Sequence, residues 1–195
     1  AAMRALELGA IEVIGKPVAG DARALDEMIL QLIDKIKAAR LSRGRCRPRR
    51  VVAAAAAARP VNTSAVIALG TSTGGPEALR AVIPRLPAVM PPILIVQHMP
   101  AGFTASFADR LNQDSALEVR EARHGDVLRP GLALLAPGGL HMTLAADGKR
   151  VEIKDGPMVC RQRPAVEVLF RSVARVAGKR AVAVFTKDHV AALLV

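Results

Sequence analysis

The stretch VIALGTSTGGPEAL, residues 66–79, decides the fold that we predict for this chain. It opens with the apolar run Val66 to Leu69 and continues through a glycine-rich turn. It then reaches Pro76, and proline is well tolerated in the first turn of a helix. A continuous apolar run is typical of a strand that is covered on both faces. The stretch therefore predicts a buried strand, a tight turn and a helix.

The same alternation of strands and helices continues along the chain. A second apolar strand is predicted at 92–96, followed by a helix around Phe103 to Leu111. Further short strands are predicted at 133–135, 142–144, 151–153 and 181–185, with a helix at 165–176. We therefore predict an α/β domain over residues 64–195, with a doubly wound, mainly parallel sheet.

The first 63 residues have a different character. Residues 1–39 predict a helix, a short strand at 11–15 and a second helix, too little chain to bury a core alone. The second helix has apolar residues every three or four positions: Leu25, Met28, Ile29, Leu32, Ile33 and Ile36. Residues 40–63 are rich in arginine and alanine, and we interpret them as a linker.

The positive charge of the chain is concentrated in one segment. The net charge is +11, of which residues 35–59 carry +9 and all other residues together carry +2. A basic linker explains this distribution, and an electrostatic arm for nucleic acid or an acidic partner is the alternative. Aromatic residues make up only 2% of the chain, so platforms that stack nucleic-acid bases are not expected. We expect no specific binding of nucleic acid.

The cysteines and the hydropathy bound the class of protein further. Cys46 and Cys160 are far apart and fit no metal or disulfide spacing, which favours a reducing cytoplasm. His124, His141 and His189 have no metal-ligand spacing, and we expect them in turns. No apolar run approaches the ~20 residues that cross a bilayer, so membrane insertion is not expected. The 51% of hydrophobic residues excludes wholesale disorder.

Gly70 to Gly74 form a G-x-S-x-G pattern between the first strand and its helix. Glycines beside a serine permit a sharp turn that exposes the hydroxyl of Ser72 near backbone N–H groups, as a nucleophile requires. A phosphate-binding loop is an alternative, because helix N-termini bind anions. A glycine-rich turn without chemistry is the other alternative.

Two further residues are predicted near Ser72 because they also follow strands. His98 comes just after strand 92–96, and Asp188 comes just after strand 181–185. The carboxyl ends of parallel strands meet at one edge of a sheet, where active sites form. Serine, histidine and aspartate could together form a hydrolytic triad. A loop histidine and a surface aspartate are the alternatives.

Four segments resemble the catalytic domain of the chemotaxis-specific protein-glutamate methylesterases, the CheB family. They are VIALGTSTGGPEALR at 66–80, ILIVQHMPAGFTASFADRLN at 93–112, ALLAPGGLHM at 133–142 and RPAVEVLFRSVA at 163–174. In addition, AAMRALELGAIEVIGKP at 1–17 resembles the last helix and strand of a response-regulator receiver domain of flavodoxin-like fold, with Lys16 at its switch lysine. The resemblance implies a receiver remnant at 1–39, a linker at 40–63 and a Rossmann-like methylesterase domain at 64–195.

The resemblance also implies a function. Such enzymes hydrolyse glutamate methyl esters on the cytoplasmic domains of chemoreceptors, and many deamidate receptor glutamines. Ser72 matches the family nucleophile and His98 the general base, while Thr71 and Thr73 flank the nucleophile. No metal or organic cofactor is implied. The implied partners are methylated chemoreceptors and, for a full-length parent, a chemotaxis histidine kinase.

The sequence departs from the family pattern in three places. Asp188 aligns with the family aspartate only if several residues, including a Gly-Met-Gly segment, are deleted. Cys160 and Gln162 stand where members commonly carry asparagine and histidine. The resemblance also leaves the receiver incomplete before residue 1 and the catalytic domain incomplete after Val195. The alternative function is therefore a catalytically impaired fragment that only binds receptors or other partners.

Overall fold

The computed structural model describes residues 63–187 and 190–194, together with Ile14 and a group of residues between Leu25 and Lys37. Every described residue from Leu25 to Lys37 is helical, which confirms the helix predicted there. The helix predicted near the N-terminus, Lys16 and nearly all of the predicted linker lie outside the described residues.

Most of the strands belong to one sheet. The strands are β1 (Val66–Thr71), β2 (Ile93–Gln97), β3 (Glu118–Glu121), β4 (Leu132–Leu135), β5 (His141–Leu144), β6 (Val151–Lys154), β7 (Ala181–Lys187) and β8 (Val190–Leu194). Six of them form a sheet in the order β3-β4-β2-β1-β7-β8, in which only β8 runs antiparallel to its neighbour. β5 and β6 form a separate antiparallel hairpin. The predicted, mainly parallel sheet is confirmed.

In the part of the chain from residue 63 onward that the structure describes, three α-helices cover this sheet. They are α1 (Gly75–Val82), α2 (Thr104–Gln113) and α3 (Val166–Ala177), and short 3₁₀ turns follow at Ile83–Arg85 and Gly178–Arg180. Leu79 of α1 and Phe107 of α2 belong to one buried cluster, whereas Leu169 of α3 belongs to another. Helices on both faces make the fold doubly wound.

The central strands are apolar along most of their length because each face of the sheet has its own core. In β2, Ile93 and Ile95 pack in the cluster with α1 and α2, while Leu94 and Val96 pack in the cluster with α3 and the β5–β6 hairpin. Successive side chains of a strand point to opposite faces. A strand buried on both sides therefore needs a continuous apolar run, which is the pattern of residues 93–96 in the sequence.

Some features of the fold were not predicted. β3 has only one buried residue, Val119, since it is the edge strand of the sheet, and its apolar signal is therefore weak. β8 was also missed. The prediction that His141 is a turn residue is wrong: it begins β5, is 6% exposed, and its ring bonds the backbone of Pro157 and Ala165. His124 does lie in an exposed turn, as predicted.

None of the helices formed by the described residues combines the length and the hydropathy that crossing a membrane would require.

Candidate active site

The connection between β1 and α1 is the tight turn that the glycine pattern predicts. β1 ends at Thr71 and α1 begins at Gly75, so three residues join them. Gly74 has a φ of 75°, in the left-handed region that favours glycine. The backbone N–H of Gly75 donates to the carbonyl oxygen of Ser72 at 2.7 Å and closes the turn. Ser72 is thus fixed directly after the strand, ahead of the helix N-terminus.

Strand register brings Ser72 and His98 together. β1 and β2 are parallel neighbours, and Thr71 pairs with Gln97 at their carboxyl ends. Ser72 and His98 each follow one member of this pair, so they leave the same edge of the sheet side by side. The Oγ atom of Ser72 lies 3.3 Å from Nδ1 of His98. The predicted proximity of the two side chains is therefore confirmed.

The environment of His98 favours its neutral form. Burial of the imidazole, and to a lesser degree the positive charge of Lys35, lowers the pKa of His98 from 6.5 to about 4. At neutral pH the ring is therefore uncharged, and the nitrogen that faces Ser72 can accept a proton. A hydroxyl next to a neutral imidazole is the arrangement in which serine becomes nucleophilic.

Sequence reasoning did not single out Gln97, which lies beneath this pair. Its side chain is completely buried at the end of an otherwise apolar strand. Its Nε2 donates to the carbonyl oxygens of Ser72 and His98, and its Oε1 accepts from the hydroxyl of Thr71. The signal that could have identified it is a lone amide that ends an apolar strand, directly before a candidate base.

The third predicted residue, Asp188, lies outside the described residues, so its role stays a prediction. The strand that leads to it is described: β7 runs beside β1, and Thr186 pairs with Thr71. The Oγ1 atom of Thr186 is buried and has no hydrogen-bond partner among the described residues. The chain before Asp188 therefore reaches the same edge of the sheet as Ser72.

Residues 159–162, which include Cys160 and Gln162, form a tight hairpin turn. Val159 and Gln162 exchange two backbone hydrogen bonds, and Cys160 and Arg161 between them have φ values of 51° and 61°. The exposed thiol of Cys160 donates to Glu167, and this bond raises the pKa of Cys160.

This loop leads into α3, which approaches the candidate site. A Cβ atom built on Gly70 would lie 2.3 Å from Cγ1 of Val166, in the first turn of α3. The start of α3 is therefore packed directly against the end of β1, just before Ser72. Among the described residues, no group of three or more His, Cys, Asp or Glu side chains is arranged to hold a metal ion.

A serine hydroxyl beside a neutral imidazole, at the carboxyl edge of a doubly wound sheet, is the arrangement typical of serine hydrolases. Comparison with known families gives the particular group. The model of the CheB methylesterase family matches residues 67–186, and the chain belongs to this family.

Curated relatives agree with this assignment. The chain is 48% identical to protein-glutamate methylesterase/protein-glutamine glutaminase 5 of Anaeromyxobacter dehalogenans, over 94% of this chain and 55% of the relative. It is 46% identical to protein-glutamate methylesterase/protein-glutamine glutaminase 2 of Pseudomonas syringae pv. tomato, over 92% of this chain and 55% of the relative. The chain thus spans about half the length of these relatives.

A solved structure is also similar. The crystal structure of the Thermotoga maritima CheB methylesterase catalytic domain matches with a TM-score of 0.59 and 39% sequence identity. The match covers 62% of this chain and 66% of that chain. The likeness supports a mainly parallel α/β sheet of the kind found in that catalytic domain.

Proposed function

We propose that this chain carries the catalytic site of a protein-glutamate methylesterase, in which Ser72 is the nucleophile and His98 the general base. The observation that supports this most directly is the 3.3 Å separation between the Oγ of Ser72 and Nδ1 of His98. The names of the curated relatives supply the substrate class, a glutamate methyl ester or a glutamine amide.

The proposed reaction has two steps. Nδ1 of His98 takes the proton of the Ser72 hydroxyl as its oxygen attacks the ester carbonyl. The imidazolium then protonates the methoxy oxygen as its bond to the acyl carbon breaks, and methanol leaves. Water, deprotonated by His98, then attacks the acyl-enzyme, the bond between the acyl carbon and Oγ of Ser72 breaks, the imidazolium returns the proton to Oγ, and the glutamate carboxylate is released. With a glutamine the same steps release ammonia instead. Each half uses His98 once as base and once as acid.

Asp188 is the proposed orienting group. If it faces His98, it contacts Nε2, because Nδ1 is directed at Ser72. A carboxylate there fixes the tautomer with the proton on Nε2 and stabilises the imidazolium. Asp188→Asn would then lower activity severely, whereas a displaced Asp188 would leave an already slow enzyme nearly unchanged.

The proposed substrate is the methylated cytoplasmic domain of a chemoreceptor, and the proposed location of the protein is therefore the cytoplasm. Residues 1–39 are proposed as a receiver remnant and residues 40–63 as its linker. A chemotaxis histidine kinase is the proposed phosphodonor of a full-length parent.

The test is methanol release from methylated receptor membranes, measured for the wild-type chain and for Ser72→Ala. We expect Ser72→Ala to lose at least ~10⁴-fold in rate while its thermal unfolding stays within about 2 °C of wild type. Equal methanol release from both proteins would refute the assignment of Ser72. Receptor binding without methanol release from wild type would favour the alternative, a binding module.

A further inference from the structure

The side chain of Gln97 joins the main chains of the two candidate catalytic residues. Its Nε2 donates to the carbonyl oxygen of Ser72 and to that of His98, each at 3.3 Å. One carboxamide therefore spans the carboxyl ends of β1 and β2. We propose that Gln97 is a positioning residue that sets the separation between the Ser72 hydroxyl and the His98 imidazole. The inference rests on the proposed function of that pair.

The hydrogen bonds fix the orientation of this carboxamide. Its Oε1 accepts from Oγ1 of Thr71 at 2.6 Å, while both groups near Nε2 are carbonyl oxygens, which only accept. A flipped amide would direct Oε1 at the two carbonyl oxygens. Thr71 is itself fully buried, and its hydroxyl lies 3.2 Å from the carbonyl oxygen of Val96. Thr71 thus aligns Gln97, and Gln97 aligns the pair.

The backbone of Gly75 also contacts the carboxamide of Gln97. A Cβ atom on Gly75 would lie 1.9 Å from Oε1 of Gln97, so the carboxamide rests directly on the glycine. The N–H of Gly75 donates to the same Ser72 carbonyl oxygen that Nε2 of Gln97 contacts. The Ser72 carbonyl is therefore held from the helix side and from the β2 side at once.

A positioning role has a consequence that a purely structural role lacks. At 3.3 Å, the contact between Ser72 and His98 is at the long end for a hydrogen bond. A small movement of either main chain breaks it, and misplacement by about 1 Å can cost ~10²-fold in rate. Loss of the Gln97 side chain should therefore weaken the hydrogen bond between Ser72 and His98 and lower kcat, in addition to lowering the stability of the protein.

The experiment compares Gln97→Met with Ser172→Ala in the full chain. Methionine has a length similar to that of glutamine and no amide. Ser172 is the control because it is also a buried polar residue that bonds two backbone groups, here those of Leu144 and Leu169. We would measure kcat and KM for methanol release, thermal unfolding, and the ¹⁵N NMR shift of Nδ1 in His98. The shift reports the bond to Ser72 without requiring turnover.

For Gln97→Met we expect kcat to fall by ~10²-fold with KM changed less than about threefold. The His98 shift should move toward the value found in Ser72→Ala. Ser172→Ala should lose stability but keep both kcat and the shift. If Gln97→Met fails to fold, Thr71→Val removes the donor that aligns the carboxamide and should produce the same pattern, whereas Thr71→Ser should retain activity.

Gln97→Glu provides a readout that packing alone would not change. Its ionised carboxylate would face two carbonyl oxygens, whereas its protonated form can donate to one of them. The ratio of its kcat to that of wild type should therefore rise as the pH falls from 8 to 6, and the ratio for Gln97→Met should stay constant.

A folded Gln97→Met with an unchanged His98 shift and kcat would overturn the proposal, as would a pH-independent ratio for Gln97→Glu. The proposed function fails separately: if wild type releases no methanol but the His98 shift still responds to Gln97→Met, the positioning role stands without the esterase.

Discussion

Gly75→Ala tests how closely the turn after β1 is fitted to the residues beneath it. The added Cβ would lie 1.9 Å from Oε1 of Gln97 and 2.8 Å from Cβ of Thr71. Real contacts of a Cβ are essentially never below 3.0 Å, so the carboxamide must move by about 1 Å. It then loses bonds to Thr71 and Ser72, each worth about 1 kcal/mol.

The expected magnitude follows from opposing effects. Overpacking costs about 1–3 kcal/mol and the lost hydrogen bonds add to it, while alanine gains at most ~1 kcal/mol in helix propensity. We expect a net loss of about 2–3 kcal/mol, which lowers the melting temperature by roughly 5–10 °C in a domain of this size.

Gly156→Ala is the matched control. Its φ is also outside the left-handed region, but its Cβ would meet only Cδ2 of His141, at the ordinary distance of 3.6 Å. Its stability should stay within about 0.5 kcal/mol of wild type. Thermal unfolding followed by circular dichroism measures both variants. Equal melting temperatures for Gly75→Ala and Gly156→Ala would refute the reasoning, because the close contact at Gly75 and the hydrogen bonds that it breaks should separate the two variants.

Two further predictions concern the charge on His98 and the hairpin turn. Because the pKa of His98 is lowered to about 4, kcat/KM of the wild type should fall only below about pH 4. Lys35→Ala removes a positive charge that lowers this pKa, so it should move the fall in kcat/KM to higher pH. The control Lys37→Ala should leave the profile unchanged. An acid limb near 6.5 in the wild type would contradict this. Because Cys160 has a φ of 51°, Cys160→Asn should raise the melting temperature by about 2 °C and the β-branched Cys160→Val should lower it. Equal melting temperatures for Cys160→Asn and Cys160→Val in thermal unfolding would contradict the idea that the backbone of this turn is strained.

The parts of the fold that sequence predicts well are those with a local cause. The β1–turn–α1 unit can be predicted because the apolar run, the glycines and Pro76 each favour the structure that their own segment adopts: a strand, a tight turn and the start of a helix. β3 was missed because an edge strand needs only one buried residue, here Val119. His141 was misjudged because its burial depends on backbone partners 16 and 24 residues away, Pro157 and Ala165. No short window of sequence contains that information.

The candidate site also contains residues that the sequence predicts and one whose role only the structure shows. Ser72 and His98 could be predicted because each follows an apolar strand, and parallel strands bring such positions to one edge. Gln97 stands out in the sequence only as a lone amide at the end of an apolar strand, and its role depends on which carbonyl oxygens lie within reach of that buried amide. Sequence indicated which residues come near each other, whereas the structure was needed to identify the contact that fixes their distance.

The order of the strands also limits what Asp188 can do. β1 lies between β2 and β7, so the backbones that lead to His98 and Asp188 are two strand spacings apart, roughly 9–10 Å. An aspartate side chain is too short to cross that gap alone. It can meet Nε2 of His98 only if the His98 ring extends over Ser72 toward β7, and a ring with Nδ1 at 3.3 Å from the Ser72 Oγ already reaches in that direction. Because Asp188 lies only one residue beyond the end of β7 at Lys187, little chain is available to bring its carboxylate over β1. The length of the segment after Thr186 is therefore the feature on which a complete triad depends.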